Sequence, residues 1–252
     1  MARHSLANRV ALVTGGTGGI GSAICREFAA AGTTVVVGYR NSVESAKALA
    51  EQLPQATFPH AALRVPVTDN VALGDVSAEI DRRYGRCDIL VNCAGTTRFV
   101  PHSELDMLDD GLIDEILATN VRGPFATIRA LHKLLRRGGD ALAVNISSIA
   151  AVTAMGSNVM YCASKAALDN MTKSLARALA PEIRVVSVSP GLVDTDFVRQ
   201  LDQAWRDEQS ARTPLKRLAT PQEVAQVVLA MATSLTFVTG AVIPVDGGRP
   251  LG

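Results

Sequence analysis

Two side chains that could transfer a proton, Tyr161 and Lys165, lie four residues apart. On a helix, residues at i and i+4 share one face, so the lysine ammonium can lie beside the phenol. A free phenol has a pKa near 10, and a neighbouring cation favours the phenolate. The spacing alone could arise by chance. With Asn120 and Ser148 upstream, the pair forms a candidate set for acid and base chemistry at neutral pH.

A glycine-rich turn near the start of the chain reads Thr14-Gly15-Gly16-Thr17-Gly18-Gly19-Ile20-Gly21. Glycines between a strand and a helix let the backbone approach a pyrophosphate, which the N–H groups at the start of the helix can bind. The turn can be registered in two ways, as Gly16-x-Gly18-x-x-Gly21 or as Thr14-Gly15-x-x-x-Gly19-x-Gly21. In either register it predicts a dinucleotide-binding turn.

Short β-branched runs alternate with Ala- and Leu-rich segments, and no linker or repeat divides residues 1–252. The pattern predicts strands near residues 10–13, 34–38, 63–65, 89–92, 142–146, 185–188 and 242–244. It predicts helices near 20–31, 43–53, 70–84, 106–136, 158–180 and 221–234, the last with a capping box from Thr220 to Glu223. Alternation without hairpins indicates an α/β fold: a single-domain, doubly wound (Rossmann) fold with a seven-stranded parallel sheet and helices on both faces.

Several motifs lie where strands are predicted to end: Asn92-Cys93-Ala94-Gly95, Ser148 and Ser189-Pro190-Gly191. Ligands bind at the carboxyl ends of parallel strands, so we expect these residues to line one site. Together with the glycine turn, Leu117-Ala118-Thr119-Asn120-Val121, the tyrosine–lysine pair and Val245-Asp246-Gly247-Gly248, they resemble the short-chain dehydrogenase/reductase family. The resemblance covers nearly the whole chain and is to the short single-domain, 3-oxoacyl reductase-like branch.

The resemblance implies a hydride transfer between a nicotinamide cofactor and a carbonyl or secondary alcohol. Tyr161 would be the general acid and base, Ser148 would orient the substrate oxygen, Lys165 would hold the nicotinamide ribose, and Asn120 would support a water chain to the lysine. Ser147 is an alternative to Ser148, which is favoured by its thirteen-residue spacing to the tyrosine. The implied cofactor-binding residues are Gly15, Thr17, Gly18, Gly19, Ile20, Gly21, Arg40, Asn92, Ala94, Gly95, Lys165, Pro190, Gly191, Val193 and Thr195.

The end of the second strand bears on which cofactor is used. An acidic residue about twenty residues beyond the glycine turn would mark an NAD enzyme, because it binds the ribose hydroxyls and repels a 2′-phosphate. This chain has Arg40 there, and no carboxylate occurs before Glu44. A guanidinium suits phosphate, so we expect NADP(H) to be preferred over NAD(H), by about ten- to hundredfold. In the alternative interpretation, Arg40 points into solvent.

The chain departs from the family pattern at three places. Pro66 stands where relatives usually have an aspartate that touches the adenine amine, and Val186 stands where an asparagine is common. Residues 177–182 lack the basic end that acyl-carrier-protein reductases of the family tend to carry. General ketone reduction is therefore favoured over a role in fatty-acid synthesis.

The substrate side is predicted to involve a lid over about residues 192–218. Phe197, Leu201 and Trp205 are spaced by four residues, which predicts an apolar stripe on a short helix. With Val152 and Met155 this stripe would favour a carbonyl compound with apolar bulk. Helix packing is an equally good interpretation of the same residues.

Composition argues against several other classes of function. The net charge of +1, from 25 basic and 24 acidic residues, gives no electrostatic signature of binding to nucleic acid or to an anionic membrane. Two uncharged stretches, 141–164 and 224–245, are interrupted by polar residues, Gly or Pro and are not expected to span a membrane. The four cysteines show no Cys-x-x-Cys spacing and the four histidines are scattered, so we expect free thiols and no metal site.

The first nine residues have no apolar core of the kind found in a secretory signal, so a cytoplasmic location is expected. The family resemblance implies a homotetramer, or a homodimer. Two other functions stay open: a catalytically silent nucleotide-binding regulator on the same fold, and a sugar-nucleotide epimerase or dehydratase. A regulator would typically lose the tyrosine or the lysine, and an epimerase usually needs a sizeable C-terminal domain.

Overall fold

The strands of the protein form one parallel sheet. A computed structural model describes residues 5–251, apart from the side chain of Phe197. Its strands are β1 Val10–Thr14, β2 Thr34–Tyr39, β3 Ala61–Arg64, β4 Ile89–Asn92, β5 Ala141–Ile146, β6 Ile183–Pro190 and β7 Val242–Val245. They pair in parallel in the order β3-β2-β1-β4-β5-β6-β7. The chain order reverses between β1 and β4, where a doubly wound sheet binds its ligand. The predicted fold class is confirmed.

Helices connect the strands and cover both faces of the sheet. They are α1 Gly19–Ala30, α2 Val43–Gln52, α3 Asn70–Tyr84, α4 Asp110–Leu117, α5 Gly123–Arg137, α6 Ala150–Thr153, α7 Val159–Leu179, α8 Asp196–Arg199, α9 Gln203–Arg212 and α10 Pro221–Thr233. Within residues 5–251, none of these helices combines the length and the apolar character that crossing a membrane requires.

The core has two layers because alternate strand residues face opposite sides of the sheet. Ala11 and Val13 of β1 pack with side chains of α1, α2 and α10, whereas Val10 and Leu12 pack with α3, α5 and α7. All four are fully buried. Burial on both faces explains why the strands read as continuous apolar runs.

The predicted helix at 106–136 is wrong as a single element. A 3₁₀ turn at Leu105–Met107 precedes α4, and a π-helical turn at Ala118–Arg122 separates α4 from α5. Asp109 ends the loop by accepting a hydrogen bond from the N–H of Leu112 at 2.9 Å, so α4 begins only at Asp110. The π turn contains Asn120, and π turns within helices often occur at functional sites.

The predicted capping box is present at the start of α10. Thr220 Oγ1 accepts from the N–H of Glu223 at 3.2 Å, and Glu223 Oε2 accepts from the N–H of Thr220 at 2.8 Å. The guanidinium of Arg217 and the Thr220 N–H hold the pKa of the Glu223 carboxyl at about 2. Both bonds satisfy N–H groups that would otherwise lack a partner at a helix start.

The predicted apolar stripe between β6 and α10 is also corrected. The chain leaves the helical conformation after Arg199, and Asp202 caps a second helix by accepting from the N–H of Trp205 at 2.9 Å. Leu201 therefore lies between α8 and α9, so 197, 201 and 205 do not form the stripe of one helix. The side chain of Phe197 lies outside the described part of the structure.

Candidate active site

The glycine turn joins β1 to α1 and needs its glycines for steric reasons. Gly15 has φ +63°, and a Cβ there would lie 2.9 Å from the Cα of Ala94. A Cβ on Gly21 would lie 2.2 Å from the oxygen of Gly15, and one on Gly19 would lie 2.8 Å from the methyl group of Thr195. These contacts favour the register through Gly15, Gly19 and Gly21 over the alternative.

The loop after β4 is fastened to the glycine turn by Thr14. The hydroxyl of Thr14 accepts from the N–H groups of Cys93 and Ala94, at 3.1 and 3.0 Å. The backbone of Ala94 and Gly95 is thus presented beside the turn, as expected for cofactor-binding residues.

The side chain of Asn92, one of the residues expected to bind the cofactor, lies in the interior of the protein. Its Nδ2 donates to Asn145 Oδ1 at 2.9 Å, and its Oδ1 accepts from the Thr127 hydroxyl at 2.6 Å. The side chain is 3% exposed. Asn92 therefore holds the strands and α5 together beneath the site.

Tyr161 and Lys165 lie on adjacent turns of α7, as their spacing predicts. Asn158 caps this helix by accepting from the N–H of Tyr161 at 2.7 Å. The Nζ atom of Lys165 lies 5.6 Å from the centre of the Tyr161 ring and donates to the main-chain oxygen of Ile146 at 2.8 Å. Because Lys165 is buried, its ammonium is held in one place beside the phenol.

Asn120 is brought to the same place by the π turn. Its side chain bonds both polar groups of the Thr96 backbone, accepting from the N–H at 2.9 Å and donating to the oxygen at 3.0 Å. It also donates to the Ser164 hydroxyl at 3.2 Å. A Cβ on Gly95 would lie 3.4 Å from Asn120 Oδ1 and 3.9 Å from Lys165 Nζ, so both side chains border this glycine.

The structure distinguishes the two candidate serines after β5. Ser147 is buried, and its hydroxyl donates to the main-chain oxygen of Lys165 at 3.5 Å. Ser148 is half-buried, and its Oγ accepts from the N–H of Ala150 at 3.2 Å. That bond leaves the proton of Ser148 free to be donated to a substrate oxygen, which favours Ser148 for the orienting role.

Arg40 lies at the carboxyl end of β2, beside the glycine turn. The N–H of Gly16 donates to the oxygen of Gly38 at 2.8 Å, which keeps the turn and the end of the strand together. Arg40 is exposed, and within residues 5–251 it makes no ion pair. Pro66, at the neighbouring strand end, is buried and offers no polar side chain.

The ends of β6 and β7 carry the remaining residues that are expected to bind the cofactor. The oxygen of Pro190 accepts from the N–H of Ile149 at 3.0 Å, and the N–H of Gly191 donates to the oxygen of Val245 at 3.0 Å. A bridge between Val193 and Ala219 then joins the two ends of the segment predicted to be a lid. Thr195 lies over the start of α1, in contact range of Gly19.

The apolar residues proposed for the substrate lie at the surface of the protein. Val152 is 75% exposed, Met155 51% and Trp205 38%. Phe99, which the sequence reasoning did not single out, is 73% exposed on the loop after β4. That loop is bonded to the loop before α7, since the N–H of Val100 donates to the oxygen of Ser157 at 2.8 Å. A lone phenylalanine in an irregular loop carries no periodic signal that could have revealed it.

Asp169 was also missed. It lies four residues after Lys165 and eight after Tyr161, on one face of α7, so spacing could have identified it. It is 8% exposed, and its Oδ1 has no hydrogen-bond partner among the described residues. Burial raises the pKa of this carboxyl, opposed by the hydroxyls of Ser147 and Ser187.

Two cysteines lie near the candidate residues, and burial suppresses the ionisation of both thiols. Burial raises the pKa of Cys162, next to Tyr161. Burial also raises the pKa of Cys93, in the loop after β4, to about 12. Both thiols therefore stay protonated and unreactive at neutral pH. No cluster of three potential metal ligands occurs in residues 5–251.

A nicotinamide dinucleotide fits the residues present. The turn has no side chains where a pyrophosphate would approach, and the N–H groups at the start of α1 face that space. Arg40, which has no ion pair among residues 5–251, follows β2. The lysine and tyrosine lie beyond the turn on the same edge of the sheet.

Comparisons with known proteins agree with this geometry. A family model described as enoyl-(acyl carrier protein) reductase matches residues 15–249. A Streptomyces violaceoruber protein, named as a ketoacyl reductase of the granaticin polyketide synthase, is 38% identical over 96% of both chains. The 3-oxoacyl-[acyl-carrier-protein] reductase of Thermotoga maritima is 34% identical, over 96% of this chain and 98% of its own. The crystal structure of a short-chain dehydrogenase/reductase of Brucella melitensis, titled glucose/ribitol dehydrogenase, superposes with a TM-score of 0.90 at 32% identity over 99% of both chains.

Proposed function

The chain belongs to the short-chain dehydrogenase/reductase family, in its 3-oxoacyl reductase-like branch, and we propose that it is an NADP(H)-dependent carbonyl reductase with Tyr161 as general acid and base. The observation that carries the proposal is the position of Lys165, whose ammonium lies 5.6 Å from the tyrosine ring and is fixed by the Ile146 oxygen. A cation held there stabilises the phenolate that forms when the tyrosine gives up its proton.

The cofactor would be held by the glycine turn, by the backbone after β4 and by the segment from Pro190 to Thr195. When bound, a nicotinamide cofactor supplies or accepts the hydride. Arg40 would bind the 2′-phosphate, because an exposed guanidinium without a partner can offer a pair of donors to it. Lys165 would hold the nicotinamide ribose.

In the direction of reduction, the Tyr161 hydroxyl donates its proton to the carbonyl oxygen as a new C–H bond forms at the carbonyl carbon. Ser148 donates a hydrogen bond to the same oxygen and so stabilises the negative charge that develops on it. In oxidation the phenolate accepts the alcohol proton, and the ammonium of Lys165 stabilises that phenolate beforehand. Asn120 fixes the backbone of Thr96 and the hydroxyl of Ser164 around the pair, at 2.9 to 3.2 Å.

The substrate is proposed to be a ketone with apolar bulk. Val152 and Met155 are exposed on the segment that follows Ser148, and Phe99 is exposed on the loop after β4, where they would contact such a group. The names of the relatives include both ketoacyl reductases and a glucose/ribitol dehydrogenase, so they do not select one substrate class. Our proposal of general ketone reduction rests on the residues of this chain.

The direct test is a panel of carbonyl compounds and secondary alcohols, followed by the absorbance of NADPH or NADH. It should contain the N-acetylcysteamine thioester of 3-oxobutanoate, a cyclic ketone and a polyol. Turnover of a ketone, abolished in Tyr161→Phe, supports the reductase. NADPH binding with no turnover of any carbonyl or alcohol would favour a silent nucleotide-binding regulator instead.

We further propose that the protein is a cytoplasmic homotetramer, or a homodimer, joined through the long helices α5 and α7. Light scattering measures the mass of the assembly directly, and a monomer would have a mass of 26.5 kDa. A mass that stays at the monomer value at micromolar concentration would remove the proposed assembly without affecting the reductase assignment.

A further inference from the structure

Helix α9 lies in the proposed lid but has very little apolar surface with which to bind the rest of the protein. Its sequence is Gln-Ala-Trp-Arg-Asp-Glu-Gln-Ser-Ala-Arg, and Gln209 is its one buried residue. Trp205, its largest apolar side chain, is 38% exposed. Apolar burial normally holds a surface helix in place, so this helix needs another attachment.

The attachment is polar and comes from the end of the chain. Arg249 Nη1 donates to the main-chain oxygen of Gln209 at 2.7 Å and to the Thr213 hydroxyl at 3.4 Å. Its Nη2 donates to the side-chain oxygen of Gln209. Gln209 and Thr213 are 8% and 4% exposed, so these bonds are shielded from water. A cation at the last turn of a helix also interacts favourably with the helix dipole.

The segment that carries Arg249 directly follows β7, where the oxygen of Val245 accepts from the N–H of Gly191 at 3.0 Å, and it is also bonded to the lid. The N–H of Leu215 donates to the oxygen of Gly247 at 3.2 Å, and Asp246 Oδ1 accepts from the N–H of Gly248 at 2.8 Å. Gly247 has φ +63°, and a Cβ there would lie 2.8 Å from the Thr213 methyl group. A glycine is therefore required for this close approach of the tail to the lid.

The other attachment of the lid is the pairing at its base. The N–H of Asp194 donates to the oxygen of Ala219 at 2.8 Å, and the N–H of Ala219 donates to the oxygen of Leu192 at 3.1 Å. These bonds fix where the segment leaves and rejoins the body and do not involve α9 itself. The bonds from Arg249 attach the last turn of α9 to the segment after β7.

We propose that Arg249 is a positioning residue that holds α9 over the candidate active site and thereby sets the place of Trp205 at the substrate entrance. Trp205 and Gln209 are four residues apart and share a face of α9. The bonds that hold Gln209 in place therefore also set the position of Trp205. The role in substrate binding rests on the proposed function, whereas the attachment itself does not.

The chain contains one tryptophan, and it is Trp205. Its fluorescence therefore reports on α9 directly, in the absence of any substrate. Acrylamide quenching should be measured for the unmodified protein and for Arg249→Ala, Arg249→Lys and Arg212→Ala. Arg212 is the matched control, because it lies at the same end of α9 and pairs with exposed Glu208 on its own helix.

We expect the quenching constant of Arg249→Ala to rise about twofold, since a side chain that is 38% exposed can become at most about 2.6 times more exposed. The quenching constant of Arg249→Lys should lie between those of the unmodified protein and Arg249→Ala, because lysine keeps the charge but lacks the planar guanidinium. Arg212→Ala should match the unmodified protein. Equal quenching constants for Arg249→Ala and Arg212→Ala, with both proteins folded by circular dichroism, would overturn the attachment.

Kinetics then test the consequence for the substrate. For the N-acetylcysteamine thioester of 3-oxobutanoate, Arg249→Ala should raise KM by about five- to tenfold, with kcat within about twofold and the Kd of NADPH unchanged. An unchanged KM together with increased quenching would show that α9 is held by Arg249 but does not position substrate. If no carbonyl compound is turned over at all, the proposed function fails, and the quenching comparison still decides the attachment.

Discussion

The proposed preference for NADPH over NADH is tested most directly by the substitution Arg40→Ala. Arg40 follows β2, the hydrogen bond between Gly16 and Gly38 places it beside the glycine turn, and it is exposed without an ion pair in the described residues. Its guanidinium is therefore free to bind a 2′-phosphate at no cost in an existing contact. No acidic side chain follows β2 before Glu44 to favour the ribose hydroxyls of NADH.

The expected magnitude follows from the exposure of the arginine. A hydrogen bond to a charged group contributes about 1.5–3 kcal/mol, or about ten- to hundredfold in affinity. Exposed ion pairs are worth less because water and salt screen them. We therefore expect a preference near the lower limit, about tenfold in kcat/KM for NADPH over NADH, and a decrease of that preference at high salt.

The assay compares kcat/KM for both cofactors in the unmodified protein, in Arg40→Ala and in Arg64→Ala. Arg40→Ala should raise the KM for NADPH about tenfold and leave NADH unchanged. Arg64, at the end of neighbouring β3, is also exposed and in register with Tyr39. If Arg64→Ala loses the preference and Arg40→Ala does not, the 2′-phosphate is bound by Arg64 rather than Arg40. Equal or better kcat/KM with NADH in the unmodified protein would refute the preference for NADPH itself.

Three further outcomes are expected. Tyr161→Phe should keep its affinity for NADPH but lose at least about two orders of magnitude in turnover, and near-normal turnover would contradict the acid–base role. Gly21→Ala places a Cβ 2.2 Å from the Gly15 oxygen, so we expect calorimetry to show NADPH binding weakened at least about tenfold. At Gly74 an added Cβ has no atom within 4 Å, so Gly74→Ala should raise Tm by about 1–4 °C. Because burial raises the pKa of Asp169 above its ordinary 3.8, its ionised form destabilises the fold at neutral pH. Thermal unfolding of Asp169→Asn should give a higher Tm than the unmodified protein at pH 7, with the difference shrinking toward pH 4; a lower Tm at pH 7 would contradict this.

The parts of the fold that could be predicted from the sequence are those with a local physical cause. Strands such as Thr34–Tyr39 are buried on both faces, so their apolar runs are visible in the sequence. The start of α10 carries its own signal, since Thr220 and Glu223 bond to each other's backbone. The pair on α7 was predictable because a helix fixes the distance between i and i+4.

What could not be predicted depends on contacts between distant parts of the chain. Nothing local indicates a π turn at Asn120, because its side chain bonds Thr96, 24 residues earlier, and Ser164, 44 residues later. The division between α8 and α9 has a local signal in Asp202, a good N-cap, which the four-residue apolar spacing concealed. The contact of Arg249 with Gln209 spans 40 residues and has no pattern in the sequence at all.

A network of buried hydrogen bonds between β4, β5, β6 and α7 lies beneath the candidate site. It explains why α7, which carries Tyr161 and Lys165, has a fixed position on the sheet. Asn92, Asn145 and Ser187 are in register on β4, β5 and β6, and Thr172 of α7 bonds both Asn145 and Ser187 at 2.8 Å. Each of these groups is buried, and a buried polar group without a partner costs several kcal/mol. A shift of one strand by one residue, or of α7 by one turn, would break several of these bonds at once. The network therefore fixes the height of α7 relative to the sheet, and with it the position of the tyrosine and lysine two to three turns earlier on the same helix.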